Sequence, residues 1–282
     1  VNVPASISTQ PATQTVTSGA TATFTVVATG TAPLSHQWRK NGASISGATI
    51  GALTLTNVQP TDAGSYTVVV GNVAGNTTSN AATLTVNVPA AISVQPISQT
   101  VNAGTNAVFS VAATGTAPPT YQWRKDGVAI SGATDASYRI ASAGTSDAGS
   151  YDVVVTNPVS SVTSNAATLT VIPALIATQV VAHNSLTAGT AAVAFTPVTA
   201  SGGTVPYIFA ISPVLPTGLA LSAATGTITG TPSAASATTT YTVTVTDSAG
   251  ATSNKTFGLI VTSGAPPTAV ITSPTLGANL AV

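Results

Sequence analysis

Trp38 and Trp123 lie 85 residues apart, and so do Asp62 and Asp147, Tyr66 and Tyr151, and Val86 and Val171. One constant offset, kept from end to end, means two tandem copies of a single unit with no net insertion. The stretches QWRKNGASISGAT (37–49) and QWRKDGVAISGAT (122–134) show how closely the copies agree. Within each copy the apolar residues alternate with polar ones, as in TATFTVVAT, and YTVTVTD continues the pattern downstream. Period two with abundant Val, Thr and Ile predicts strands rather than helices. Turn signals at Ser18-Gly19, Gly30, Asn41-Gly42, Gly47, Asp62-Ala63-Gly64 and Gly75 are spaced as in a Greek-key β-protein.

The repeat sets the expected boundaries: a first domain at 1–88, a second at 89–173 and a third, different unit at 174–263, followed by a linker and an orphan strand at 264–282. VNVPASISTQP at 1–11 aligns with VNVPAAISVQP at 86–96, where the leading Val closes the last strand, AATLTV, of the preceding copy. The register therefore predicts that these 282 residues are a segment of a longer array. The junctions NVPAAIS and VIPALIA are short and contain Pro, which limits bending.

Charged residues make up 4% of the chain, Glu is absent and the formal net charge is zero, against about 25% charged residues in an ordinary domain. Nothing forms a basic patch, so nucleic acid is not an expected partner. No run of about 18 apolar residues predicts a membrane span. The absence of Cys does not place the chain inside a cell, since exported proteins can lack disulfides as well.

Three sets of residues carry a family resemblance. FTVVATG (24–30) and FSVAATG (109–115), the two tryptophans, and DAGSYTVVV (62–70) and DAGSYDVVV (147–155) resemble the intermediate-set immunoglobulin domains. The resemblance implies an all-β fold, tandem Ig-like Greek-key β-sandwiches in an extended array. In that family a disulfide joins the two sheets beneath the Trp; its positions here are Val26 and Val68, and Val111 and Val153. Both partners of the bridge are replaced together, so Trp38 and Trp123 are expected to pack on valine pairs. Losing a disulfide removes about 2–5 kcal/mol, and two buried Val side chains return about 1.5–3 kcal/mol each. Tyr66 and Tyr151 resemble the tyrosine corner, whose hydroxyl bonds backbone a few residues upstream. LPTGLALSAATGTITGTP (215–232) and YTVTVTDSAG (241–250) resemble the putative-Ig modules of bacterial surface proteins.

Chemistry is sparse. The two His residues, His36 and His183, have no carboxylate at a meaningful spacing, and Tyr121 replaces His36 in the second copy. Asp247 is followed by Ser-Ala-Gly, a turn rather than the several carboxylates that calcium takes. Arg39-Lys40 and Arg124-Lys125 read as solvated hairpin ends. No catalytic residue, metal ligand or cofactor is expected. The function expected from the sequence is a structural one, an extracellular repeat-domain rod or filament subunit at a bacterial cell surface, with neighbouring domains or further copies as partners. An apolar strand carrying Val270, Ile271, Leu276 and Leu280 is the segment through which strand addition to another subunit would run. The runner-up reading is an adhesin or a carbohydrate-binding accessory region of a large secreted protein or enzyme, with a glycan as partner and Tyr138 and Tyr207 as the aromatic platforms to test.

Overall fold

A computed structural model of the chain describes residues 1–264. The strand-addition residues Val270, Ile271, Leu276 and Leu280 lie outside the described residues. Among the described residues there are strands and two single-turn 3-10 helices and no α-helix.

The first domain runs β1 (Ser6–Thr9), β2 (Gln14–Thr17), β3 (Ala22–Thr25), β4 (Val27–Thr29), β5 (Ser35–Lys40), β6 (Ala43–Ser44), β7 (Ala52–Leu55), β8 (Gly64–Asn72), β9 (Gly75–Thr78) and β10 (Ala82–Asn87). One layer has the order β2-β10-β8-β5-β6, with β9 added to β8. Strand β2 runs parallel to β10, and β5 and β10 flank β8 antiparallel. In the other layer β3 pairs with β7 and β4 with β1. The chain changes partner at Val26, whose N–H leaves the ladder to donate to Gly51 O at 2.9 Å.

Alternation decides what fills the space between the layers. Ala22 and Phe24 point inward from β3 while Thr23 and Thr25 face solvent, and Tyr66, Val68 and Val70 point inward from β8. They meet Trp38, Leu53 and Leu84 in one core. The Phe24 ring stacks on Tyr66 with centroids 4.8 Å apart and sits tilted to Trp38 at 6.1 Å, close enough to add to the area they bury.

The second domain repeats this plan as β11 (Ala91–Val94), β12 (Gln99–Asn102), β13 (Ala107–Ser110), β14 (Ala112–Thr114), β15 (Thr120–Lys125), β16 (Val128–Ala129), β17 (Ser137–Ile140), β18 (Gly149–Thr156), β19 (Ser161–Thr163) and β20 (Ala167–Ile172). Its pairings mirror those of the first copy, β13 with β17 and β18 between β15 and β20.

The third domain comprises β21 (Ile176–Gln179), β22 (His183–Thr187), β23 (Val198–Ser201), β24 (Ile208–Ser212), β25 (Leu219–Leu221), β26 (Ile228–Gly230), β27 (Ser236–Thr246) and β28 (Thr252–Thr262). Its larger sheet has the order β22-β28-β27-β24, with β21-β23 and the hairpin β25-β26 beside it. LPTGLALSAATGTITGTP supplies that hairpin, and Ile228, Tyr241, Val243, Val245, Phe257 and Leu259 lie in the core.

Candidate functional site

With so few charged groups, the use made of each one can be followed through the chain. At the residues named from the family resemblance, Trp38, Val68 and Trp123 are 0% exposed, Val153 is 0% exposed, and Val26 and Val111 are 7% exposed. Trp38 stands opposite Val68 in the register of β5 and β8, as Trp123 stands opposite Val153. Each indole N–H reaches across the sandwich to a backbone carbonyl, Ile50 O or Asp135 O, both at 2.9 Å. A buried tryptophan thereby keeps its one donor satisfied.

Tyr66 Oη donates to Asp62 O and Tyr151 Oη to Asp147 O, each at 2.7 Å and four residues upstream. Burial, followed by the charge of Asp62, pushes the Tyr66 phenol up. For Tyr151, burial, Tyr138, Asp147 and Asp126 together push it up to about 12.

The carboxylates serve the backbone. Asp62 Oδ2 accepts from Gln59 N and Asp147 Oδ2 from Gly144 N, both at 2.8 Å, closing the 3-10 turns before β8 and β18. Asp126 Oδ1 accepts from Ser150 N at 2.8 Å, and in the first copy Asn41 Oδ1 makes the same bond to Ser65 N at 2.9 Å. Asp247 is 6% exposed, and its two oxygens accept from Thr204 N, Ala249 N and Ala251 N at 2.8, 3.0 and 2.8 Å. Those donors, the Thr204 N–H first, hold its carboxyl below the ordinary value. Its oxygens are already engaged in the turn, which is the arrangement of a staple rather than of an ion site.

The basic pairs differ from the solvated hairpin ends expected of them. Lys40 Nζ donates to Thr61 O and Lys125 Nζ to Ser146 O. Arg124 grips Asp152 through Nε at 2.6 Å and Nη2 at 3.0 Å, a fork-on-carboxylate pair. In the first copy Thr67 stands where Asp152 does, and Arg39 Nε is buried without a hydrogen-bond partner. The sequence showed the Asp-for-Thr exchange but not that the two side chains share one face.

Of the aromatic candidates, Tyr207 packs against the third domain's core and its hydroxyl donates to Gly202 O at 2.6 Å. The His183 ring lies over Gly258, where a Cβ would come within 2.3 Å of Nδ1. Among the described residues no group of three or more His or Asp side chains converges to hold a metal, and no helix is long and apolar enough to cross a membrane.

Sequence reasoning missed a polar constellation at the junction of the first two copies. Asn87 O, at the end of β10, accepts from Ser18 N of the first domain at 2.7 Å. The next residue already belongs to the second: Val88 N donates to Thr116 Oγ1 at 2.7 Å, and Val88 O accepts from Thr116 N at 2.9 Å and from Asn157 Nδ2 at 2.8 Å. Ala90 N then donates to Ser160 Oγ at 3.0 Å. Gly115 (φ +128°) lets the strap lie this close, since a Cβ there would sit 2.7 Å from Pro89 O. The same clamp holds Val3 in the first copy, through Thr31 and Asn72. Its signal in the sequence is that Gly30-Thr31 and Asn72 recur as Gly115-Thr116 and Asn157.

Comparison with known proteins gives matches to two family models. Residues 4–72 and 89–157 match the family model described as "Immunoglobulin domain", and residues 168–262 match "Putative Ig domain". Mouse (Mus musculus) Roundabout homolog 1 is 35% identical over 141 residues, 43% of this chain and 9% of that protein. Hemicentin-1 from Mus musculus is 37% identical over 107 residues, 36% of this chain and 2% of that protein. The chain thus spans a small part of the length of these relatives. An I-band fragment from titin has the same fold, with a TM-score of 0.66 and 20% identity over 93% of this chain and 99% of the fragment.

Proposed function

We propose, from the premise that this chain belongs to the immunoglobulin-like domain proteins, with two immunoglobulin domains followed by a putative Ig domain, that it serves as a structural rod. In this reading the domains are spacers and the product of the fold is a fixed distance, with no catalytic step. The observation that carries it is the junction: the bond to Asn87 O and the bond from Val88 N belong to successive domains, so not one residue between the copies is left untied. A junction with no free residue leaves little slack between the copies.

The near absence of charge supports a place outside the cytosol, at a cell surface or in a layer of like chains, because such a surface lacks the colloidal repulsion of a crowded soluble protein. The relatives named above are animal proteins; a bacterial surface, the setting we favour, rests on the pattern of residues 215–232. Neighbouring domains and further copies of the chain are the partners this role calls for.

Small-angle scattering from the 282-residue chain, read with electron micrographs of the same sample, tests the rod. A maximum dimension that stays constant with temperature below melting supports it. A broad spread of bent particles would refute it.

A further inference from the structure

The hairpin joining β5 to β6 holds Asn41-Gly42, the one Asn-Gly step in the chain. The register Lys40↔Ala43 leaves only these two residues in the turn, both with positive φ, 49° and 85°. Turns of this kind favour Asn or Asp followed by Gly. The second copy builds the same turn from Asp126-Gly127, at 50° and 80°, between Lys125 and Val128. Asn41 N donates to Ser65 O at 2.8 Å, and Ser65 N donates to Asn41 Oδ1 at 2.9 Å. Asp126 and Ser150 repeat those two bonds at 2.7 and 2.8 Å. The copies thus show one turn twice, once with an amide and once with the acid that hydrolysis of that amide would give.

The turn has what hydrolysis through its own backbone needs. Asn41 and Gly42 are exposed, so water reaches them. Gly42 puts no side chain beside its nitrogen, and a Cβ built there would meet nothing within 4 Å. The Asn41 carboxamide, by contrast, is held. It lies over Gly64 at the start of β8, where a Cβ would come within 2.7 Å of Oδ1 and 3.0 Å of Nδ2. Closing a ring from Asn41 Cγ to Gly42 N requires the Ser65 bond to break first.

We propose that Asn41 is a site of spontaneous deamidation, which the fold slows and directs towards aspartate. Gly42 N forms a bond to Asn41 Cγ and gives up its proton, the Cγ–Nδ2 bond breaks, and Nδ2 leaves as ammonia. A five-membered succinimide remains. One water then opens the ring: attack at Cγ leaves aspartate, and attack at the main-chain carbonyl leaves isoaspartate. Water enters, ammonia leaves, and nothing is oxidised or reduced. The aspartate product keeps the turn and can take the bond that Asp126 Oδ1 already accepts from Ser150 N. Isoaspartate adds a backbone carbon to a turn that has room for two residues, so it opposes the pairing of Lys40 with Ala43. Conversion gives the first domain a second carboxylate beside Asp62, its only other one. The proposal is independent of the rod reading, which stands or falls on the junction.

The test keeps the full chain and a free peptide of residues 37–49 in the same warm, mildly alkaline buffer. Digests are read by mass spectrometry, and isoaspartate is counted separately by enzymatic methylation. Asn41 should gain the mass of amide-to-acid conversion in both samples. In the folded chain it should do so more slowly by about fivefold or more, the factor that one net hydrogen bond supplies. Aspartate should exceed isoaspartate in the chain and not in the peptide. N41D should melt at the temperature of the parent chain, since the second copy already carries that residue. Conversion at other Asn residues with Asn41 unchanged, equal rates in chain and peptide, isoaspartate prevailing in both, or a lowered melting temperature for N41D would each overturn the proposal.

Discussion

Val26 and Val68 stand where a cross-linked pair would anchor Trp38, and the three share one core. Shape and volume must then do what a covalent bond does elsewhere, so the core is sensitive to any void. Trp38→Ala should cost about 3–5 kcal/mol, seen as a large fall in the first domain's melting temperature; an unchanged melting point would contradict the packing account. Arg39 offers the opposite experiment. Thr67→Asp places a carboxylate where Asp152 holds Arg124, and a part-buried, bidentate pair of this kind contributes about 1 kcal/mol. Chemical denaturation should show the first domain stabilised by Thr67→Asp and not by Thr67→Asn.

At the scale of elements, β8 and β18 are each entered through a 3-10 turn, an aspartate staple and a tyrosine hydroxyl bonded four residues back. The phenol of Tyr151 is held neutral up to about 12, above its ordinary value of 10.0. A raised folded value means that its contribution is complete below the unfolded value and is lost as pH rises from about 10 through about 12. The second domain should therefore lose melting temperature across that interval. Tyr151→Phe should flatten the alkaline decline while costing about 1 kcal/mol at neutral pH for the lost hydrogen bond. A decline equally steep in the variant would assign the effect elsewhere. The sign is reversed at Asp247: its lowered folded value makes a contribution present above the ordinary carboxyl range and lost as pH falls through the folded value.

These elements were largely legible in the sequence. Alternation in FTVVATG and DAGSYTVVV gave inward and outward faces, and the offset of 85 doubled every observation. What could not be read was long-range side-chain chemistry. Nothing local to Asn157 announces that it reaches back 69 residues to Val88 O, and nothing local to Arg124 names Asp152 as its partner. Tyr138 was legible as an aromatic platform to test, but only the register of β13 and β17 shows that it faces inward beside Phe109 and packs on Trp123 and Tyr151.

For the molecule as a whole, the account rests on the tie at Asn87–Val88. The chain contains no Cys, so paired spin labels can be introduced at Ala43→Cys and Val128→Cys, exposed positions related by the repeat, without background reaction. Pulsed-dipolar distances between them measure the junction directly. The account predicts one narrow distance distribution for the parent chain, broadened when Thr116→Val removes the hydroxyl that holds Val88 N. A distribution already broad in the parent chain, and unaffected by Thr116→Val, would contradict it.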